Sequence, residues 1–234
     1  IGDGLKGRDL VAIKDGTVTI QAEGDGIQST NADDADKGNV VIDGGTVTIS
    51  SGLDGLQAEK VVQINDGTIK ITAGGGNTKG TQTAADSGWR PGMTAPTTAI
   101  NEASKKGIKG LTQVTVLEGA ITVDSADDAI HSNGQIAIGG GILNLTSGDD
   151  GIHADTSIII NAGDIQIAKS YEGIESTTVR INGGQVQVVA SDDGINIGGG
   201  ADGSRRGHPR QAADHRDPRR HLRGAGNLRT GPAR

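Results

Sequence analysis

Eight positions of this sequence share one spacing and nearly one chemistry. Asp3, Asp25, Asp54, Asp128, Asp150, Glu172 and Asp193 each stand two residues before an aliphatic side chain, and Lys106 holds that place before Ile108. Asp127, Asp149 and Asp192 crowd the set from the preceding position, and Asp155 lies just beyond one member. Oxygen donors gathered in this way, in a chain with 0 Cys and 5 His, suit a hard cation, Ca²⁺, better than zinc or copper. Asp33, Asp34 and Asp36 form a second acidic stretch, either a further calcium candidate or a solvated loop.

The same residues have other readings. Asp caps Gly-containing turns by accepting backbone N–H groups, so each member could serve only its own turn. Asp149 and Asp150 resemble the paired carboxyls of inverting glycoside hydrolysis. That pair recurs at Asp127–Asp128 and Asp192–Asp193, however, as a structural motif does and a catalytic centre does not. His131 and His153 each follow an aliphatic anchor and form either a metal pair or, as expected here, a solvent-facing pair among the carbohydrate-binding candidates. Trp89, the only Trp, offers a face to stack on a sugar or a plug for its own loop. Lys105, Lys106, Lys109 and Arg180 are the cations placed to meet an anionic polymer.

These groups are positioned by a repeat. The aliphatic anchors are Leu5, Ile27, Leu56, Ile108, Ile130, Ile152, Ile174 and Ile195, a period near 22 residues interrupted by insertions at 32–38 and 74–106. Each unit holds three short alternating stretches, around Ile152, Ile158 to Ile160 and Ile165 to Ile167 in the clearest copy, bounded by Gly, Asn or Asp. Three strands and three corners per unit predict an all-β solenoid, one turn of a parallel β-helix per repeat. A leucine-rich repeat would need helical segments, and Gly-Gly-Thr-Val-Thr-Ile stretches are poor helix material. Stacked turns pile the carboxylates into one file about 5 Å apart. Each neighbouring like-charged pair would cost about 3 kcal/mol at an effective dielectric of 20, so the file calls for a counter-charge.

Composition agrees. With 40 Gly, 0 Phe and 33% hydrophobic residues, the chain lacks the aromatics of a globular core but suits a narrow aliphatic stack. The absence of Cys rules out disulfides and thiolate metal sites. No transmembrane run or signal peptide is visible, and the opening at Ile1, inside a corner, predicts a fragment whose targeting segment lies upstream. Residues 1–203, the β-helix, are strongly acidic, which argues against nucleic acid as a partner. Residues 204–234 change character: 9 Arg against 2 Asp, with no alternation. A one-base slip around Arg219-Arg220-His221 would restore a Gly-Gly-Thr strand start, so this tail is expected to be frameshifted or disordered, the alternative being a basic tail for polyanions.

The stretches Asp150-Gly-Ile-His-Ala-Asp, Ser170-Tyr-Glu-Gly-Ile-Glu, Ile181-Asn-Gly-Gly and Ala190-Ser-Asp-Asp-Gly-Ile-Asn, with Gly24-Asp-Gly-Ile-Gln-Ser-Thr-Asn and Asp36-Lys-Gly upstream, resemble the bacterial cell-surface carbohydrate-binding β-helix family over residues 2–203. The resemblance implies a right-handed parallel β-helix like that of pectate lyases, bound calcium, extracellular attachment at the cell surface, and non-catalytic binding of cellulose or polygalacturonate. The main rival is a pectin-degrading lyase or polygalacturonase-like hydrolase on the same scaffold. An ice-binding solenoid, suggested by Thr17-x-Thr19 and Thr46-x-Thr48, fails because the Thr row breaks at Asn144, Gln166 and Gln185.

Overall fold

A computed structural model describes residues 2–80 and 103–198. Trp89, most of the second insertion and the tail from 204 lie outside the described residues. Within them the chain winds as a right-handed parallel β-helix of three sheets, with 8, 7 and 7 strands. A typical turn contributes a three-residue strand such as Ile130–Ser132, a four-residue strand such as Gln135–Ile138 and a six-residue strand such as Ile142–Ser147. We call the sheets they build the anchor, middle and closing sheets. The expected anchors pair with one another in register: Leu5 with Ile27, Ile27 with Leu56, Leu56 with Ile108, and so on to Ile174 with Ile195.

The alternation of β-branched and polar residues is what makes this winding possible. In Val61–Ile64 and Ile121 to Val123, every second side chain turns inward, giving files such as Val62, Val114, Ile136, Ile158 and Val47, Ile69, Ile121, Leu143, Ile165 that are essentially fully buried. Burying one such side chain stabilises by about 1.5–3 kcal/mol, and each turn supplies about five of them only because its neighbours cover both sides. No helix among the described residues is long and apolar enough to cross a membrane.

Two glycine files set the corners. Gly16, Gly45, Gly67, Gly119, Gly141, Gly163 and Gly184, at the turn into the closing sheet, all have φ between 85° and 122°, a region closed to ordinary side chains. The second file precedes the anchors. A Cβ on Gly107 would meet the Ala129 carbonyl at 2.6 Å and collide with Val123 Cγ1. At Ala129 the file carries a methyl, and there the register places Leu145 where the neighbouring turn has Val123. Leu has no branch at Cβ, so the space a Val or Ile methyl fills elsewhere is free for the alanine.

The insertions leave at corners and the register resumes after each. The 32–38 loop is laced to its base by Asn31, whose Oδ1 accepts the Asp33 and Asp34 amides at 3.1 Å. Residues 74–80 leave the closing sheet through a single 3₁₀ turn, Asn77–Lys79. Asn77 rests its amide and its Nδ2 on Asp124 Oδ1 at 2.7 Å and accepts Lys169 Nζ at 2.8 Å. Lys169 reaches it because Asp164–Ser170 has seven residues where its partner has six, and the register slips there.

Candidate functional site

Two rows of polar side chains run side by side along the anchor sheet. The corner row is the expected file from Asp3 to Asp193. The other is a ladder of outward residues, each one after its anchor: Lys6, Gln28, Gln57, Lys109, His131, His153, Glu175 and Asn196. The corner that carries the acidic pairs is shaped by a buried serine two residues earlier. Ser125 Oγ donates to the Asp127 carbonyl at 2.8 Å, and Ser147 Oγ to that of Asp149 at 2.9 Å.

In the file, Asp3, Asp25, Asp54, Asp128 and Asp150 each cap the next turn and not their own, which corrects the single-turn reading. Asp3, Asp25 and Asp54 accept the amides of Asp25, Asp54 and Lys106 at 3.1, 3.0 and 2.7 Å; Asp128 and Asp150 accept those of Asp150 and Glu172 at 3.0 and 3.2 Å. Lys106 has no oxygen to offer, and the Asp128 amide turns instead to Asp127 Oδ1 at 3.0 Å. Repulsion along the file is offset by these amides and by the protein's own cations. Lys106 Nζ sits 3.0 Å from Asp127 Oδ2 and 2.8 Å from Asp128 Oδ2; Lys109 Nζ lies 3.4 Å from Asp54 Oδ2, and Lys6 3.0 Å from Asp3 Oδ2.

The histidines are not solvent-facing. His131 is 2% exposed and His153 3%. Their rings lie edge to face with centroids 5.1 Å apart, and Nδ1 of each approaches the carboxylate of its own turn, Asp128 at 2.8 Å and Asp150 at 3.3 Å. An outward position on a ladder is therefore walled in by the residues above and below it and by the adjoining file.

Burial shifts the protonation of these groups. It pushes the Asp128 carboxyl up, but Lys106, His131 and His153 more than reverse this and hold it well below the usual range. Burial favours neutral His153, yet Asp150, Asp128 and Glu175 together raise it to about 9. Burial and Asp150 lift Glu175 to about 8, and burial and Asp54 lift Asp25 to about 6. Glu172 is also raised, by burial first, although Asn196 donates to both its oxygens.

Donor atoms converge within 4.8 Å in three groups among the described residues: Asp127, Asp128 and Asp149; Asp128, His131 and His153; Asp150, His153 and Glu175. Asp128 and Asp149, expected as metal ligands, are thus brought together, whereas Asp150 falls in a separate group with His153 and Glu175. Asp25 is buried in the file but belongs to no such group, and Glu172 faces Asn196. Asp155 approaches His153 Nε2 at 3.5 Å. Asp192 and Asp193 are exposed. Asp33 and Asp36 are exposed, Asp34 pairs with Lys37 at 3.6 Å, and the three form no converging group. Glu175 escaped the sequence reading although, as the register partner of His153, it stands on the same ladder.

Of the cations expected to meet sugar, Lys106 is 5% exposed and held by carboxylates, Lys109 is half-buried against Asp54, Lys105 is half-buried and Arg180 is exposed. Two surfaces offer sugar-compatible chemistry. The closing sheet presents outward Thr17, Thr46, Thr68 and, one file over, Thr19, Thr48, Lys70, Thr122, Asn144, Gln166 and Gln187 in matched register. Beside it a groove of about 450 Å³ is lined by Asn77, Thr78, Ser147, Lys169, Val189 and Ser191 among others.

A family model described as carbohydrate-binding domain-containing protein matches the chain over residues 1–151 and again over 149–194. Comparisons with curated proteins and with solved structures returned no match.

Proposed function

We propose, on the premise that this chain belongs to the carbohydrate-binding domain-containing protein family, that it binds plant-type polysaccharide without cleaving it, at the bacterial cell surface and with the help of calcium. The observation that carries the reading is the outward face of the closing sheet, where one hydrogen-bonding side chain follows another from Thr19 to Gln187 in unbroken register. Successive turns lie about 4.8 Å apart, close to the length of one pyranose, so a glycan laid along the axis meets one turn per sugar. Each contact is weak, and retention comes from their number.

Cellulose fits this face by hydroxyl contacts alone. An acidic polymer such as polygalacturonate meets a carboxylate-rich body and needs a bridging cation. Asp127, Asp128 and Asp149 are the oxygen-only group whose hard-donor chemistry suits calcium, which would displace the Lys106 ammonium from two of the three carboxylates. Calcium bound there would supply positive charge with coordination positions for a uronate oxygen. Against the lyase or hydrolase alternative, the acidic pair recurs from turn to turn, and Asp150 already accepts a backbone amide.

Retention on insoluble cellulose and on polygalacturonate, with calcium and with EDTA, tests the reading, alongside assays for reducing ends and unsaturated products. Retention without product is expected, with the polygalacturonate arm weakened by EDTA and by Asp149→Asn. Turnover abolished by Asp150→Ala would overturn it.

A further inference from the structure

His153 is buried, yet its Nε2 has no hydrogen-bond partner, and neither does Asp155 Oδ1, which faces it at 3.5 Å. On the other side of the ring, Nδ1 looks onto Asp150 Oδ2 at 3.3 Å and Glu175 Oε2 at 3.8 Å. Three donors from two successive turns thus surround one point, Asp150 and His153 from one and Glu175 from the next, while an unpartnered acceptor waits behind the ring.

We infer that Asp150, His153 and Glu175 form a binding site for a divalent cation of the zinc class, with Asp155 orienting the histidine from behind. Four-coordinate zinc with bonds of about 2.1 Å places its ligands about 3.4 Å apart, and the two measured separations bracket that value. Metal on Nδ1 fixes the proton on Nε2, where it donates to Asp155. That carboxylate–histidine–metal relay is the usual support of a bound zinc, and it satisfies both orphaned atoms at once. An imidazole donor favours zinc over calcium, which prefers oxygen throughout. Three protein ligands leave a position for water or a carbohydrate oxygen.

The neighbouring group of Asp128, His131 and His153 is a poorer candidate, since Asp128 Oδ2 already holds the Lys106 ammonium at 2.8 Å and His131 at 2.8 Å. Asp127, Asp128 and Asp149, proposed above for calcium, share no ligand with the zinc site, so the two proposals stand or fall separately.

The test is metal titration of the full chain after stripping with chelator, with Zn²⁺, Co²⁺, Ca²⁺ and Mg²⁺ as separate probes and circular dichroism of each variant as the fold control. One equivalent of Zn²⁺ is expected to bind at least tenfold more tightly than Ca²⁺ to this site. Co²⁺ should take the same place with a visible absorption band that Zn²⁺ abolishes. His153→Gln and Glu175→Gln should each remove the band, Asp155→Asn should weaken zinc about tenfold, and Asp127→Asn should leave it unchanged. Zinc binding that survives both His153→Gln and Glu175→Gln in folded protein, or affinity no greater than for Ca²⁺, would overturn the assignment.

Discussion

Asp128 accepts the backbone amide of Asp150 at 3.0 Å, although the two side chains occupy the same place in successive turns and carry the same charge. Like residues are held one above another because each carboxylate is the acceptor for the backbone of the next. The second Asp128 oxygen neutralises Lys106, itself 5% exposed. Asp128→Ala is therefore expected to cost about 3–5 kcal/mol, mostly by leaving that ammonium under-compensated, whereas Asp128→Asn keeps the amide acceptor and costs less. Urea unfolding ranks the two, and hydrogen exchange should show the Asp150 amide losing protection only in the alanine variant. Equal losses for both would mean that the amide bond contributes nothing.

Asp25 sets a pH dependence of opposite sign to an ordinary ion-paired aspartate. Its folded-state value of about 6, raised by burial and then by Asp54, lies above the 3.8 of the free side chain. The folded protein therefore binds the proton more tightly, so the penalty for ionising Asp25 is present above pH 6 and disappears as pH falls toward 3.8. The difference is about 3 kcal/mol. Thermal midpoints of wild type and Asp25→Asn between pH 4 and 7.5 check it: the wild type should carry an extra loss of stability as pH rises through this window. Parallel curves would rule out the shift.

Ala129 and Leu145 are a coupled exception to the Gly-plus-β-branched pairing of the other turns. Leu145→Ile alone is expected to destabilise by about 1–3 kcal/mol, because its new methyl enters the space of the Ala129 side chain. Adding Ala129→Gly should restore much of the loss. A double-mutant cycle measures the coupling, and additive effects would show that the two do not compete for space.

Lys169 ties the 74–80 excursion to the closing sheet through Asn77. Lys169→Ala should speed hydrogen exchange in residues 74–80 while leaving the midpoint of global unfolding within a degree or two, since neither residue belongs to the core. Unchanged exchange would mean that the Asp124 bonds alone hold the segment.

The winding was legible because its cause is periodic: inward aliphatics at fixed spacing fix the register, and the anchors from Leu5 to Ile195 pair as the spacing implied. The carboxylate file followed from the same register. Its counter-charges did not. Lys106 reaches forward to Asp128 and Lys109 back to Asp54, and the latter contact spans an insertion whose length hides it in the sequence. The burial of His131 and His153 was likewise hidden, since alternation separates inside from outside but says nothing of how neighbouring turns wall in an outward ring. Glu175 could have been found by asking which residue the register sets beside His153.

The positive-φ glycines from Gly16 to Gly184 make every corner into the closing sheet the same joint. Removing or duplicating one complete unit, such as residues 129–150, which carries Ala129 together with Leu145, leaves the joints on either side facing an identical mate. Reach along the axis is accordingly free to grow or shrink by single increments of about 4.8 Å, and a coding duplication of one unit lengthens the molecule without asking any other residue to adapt.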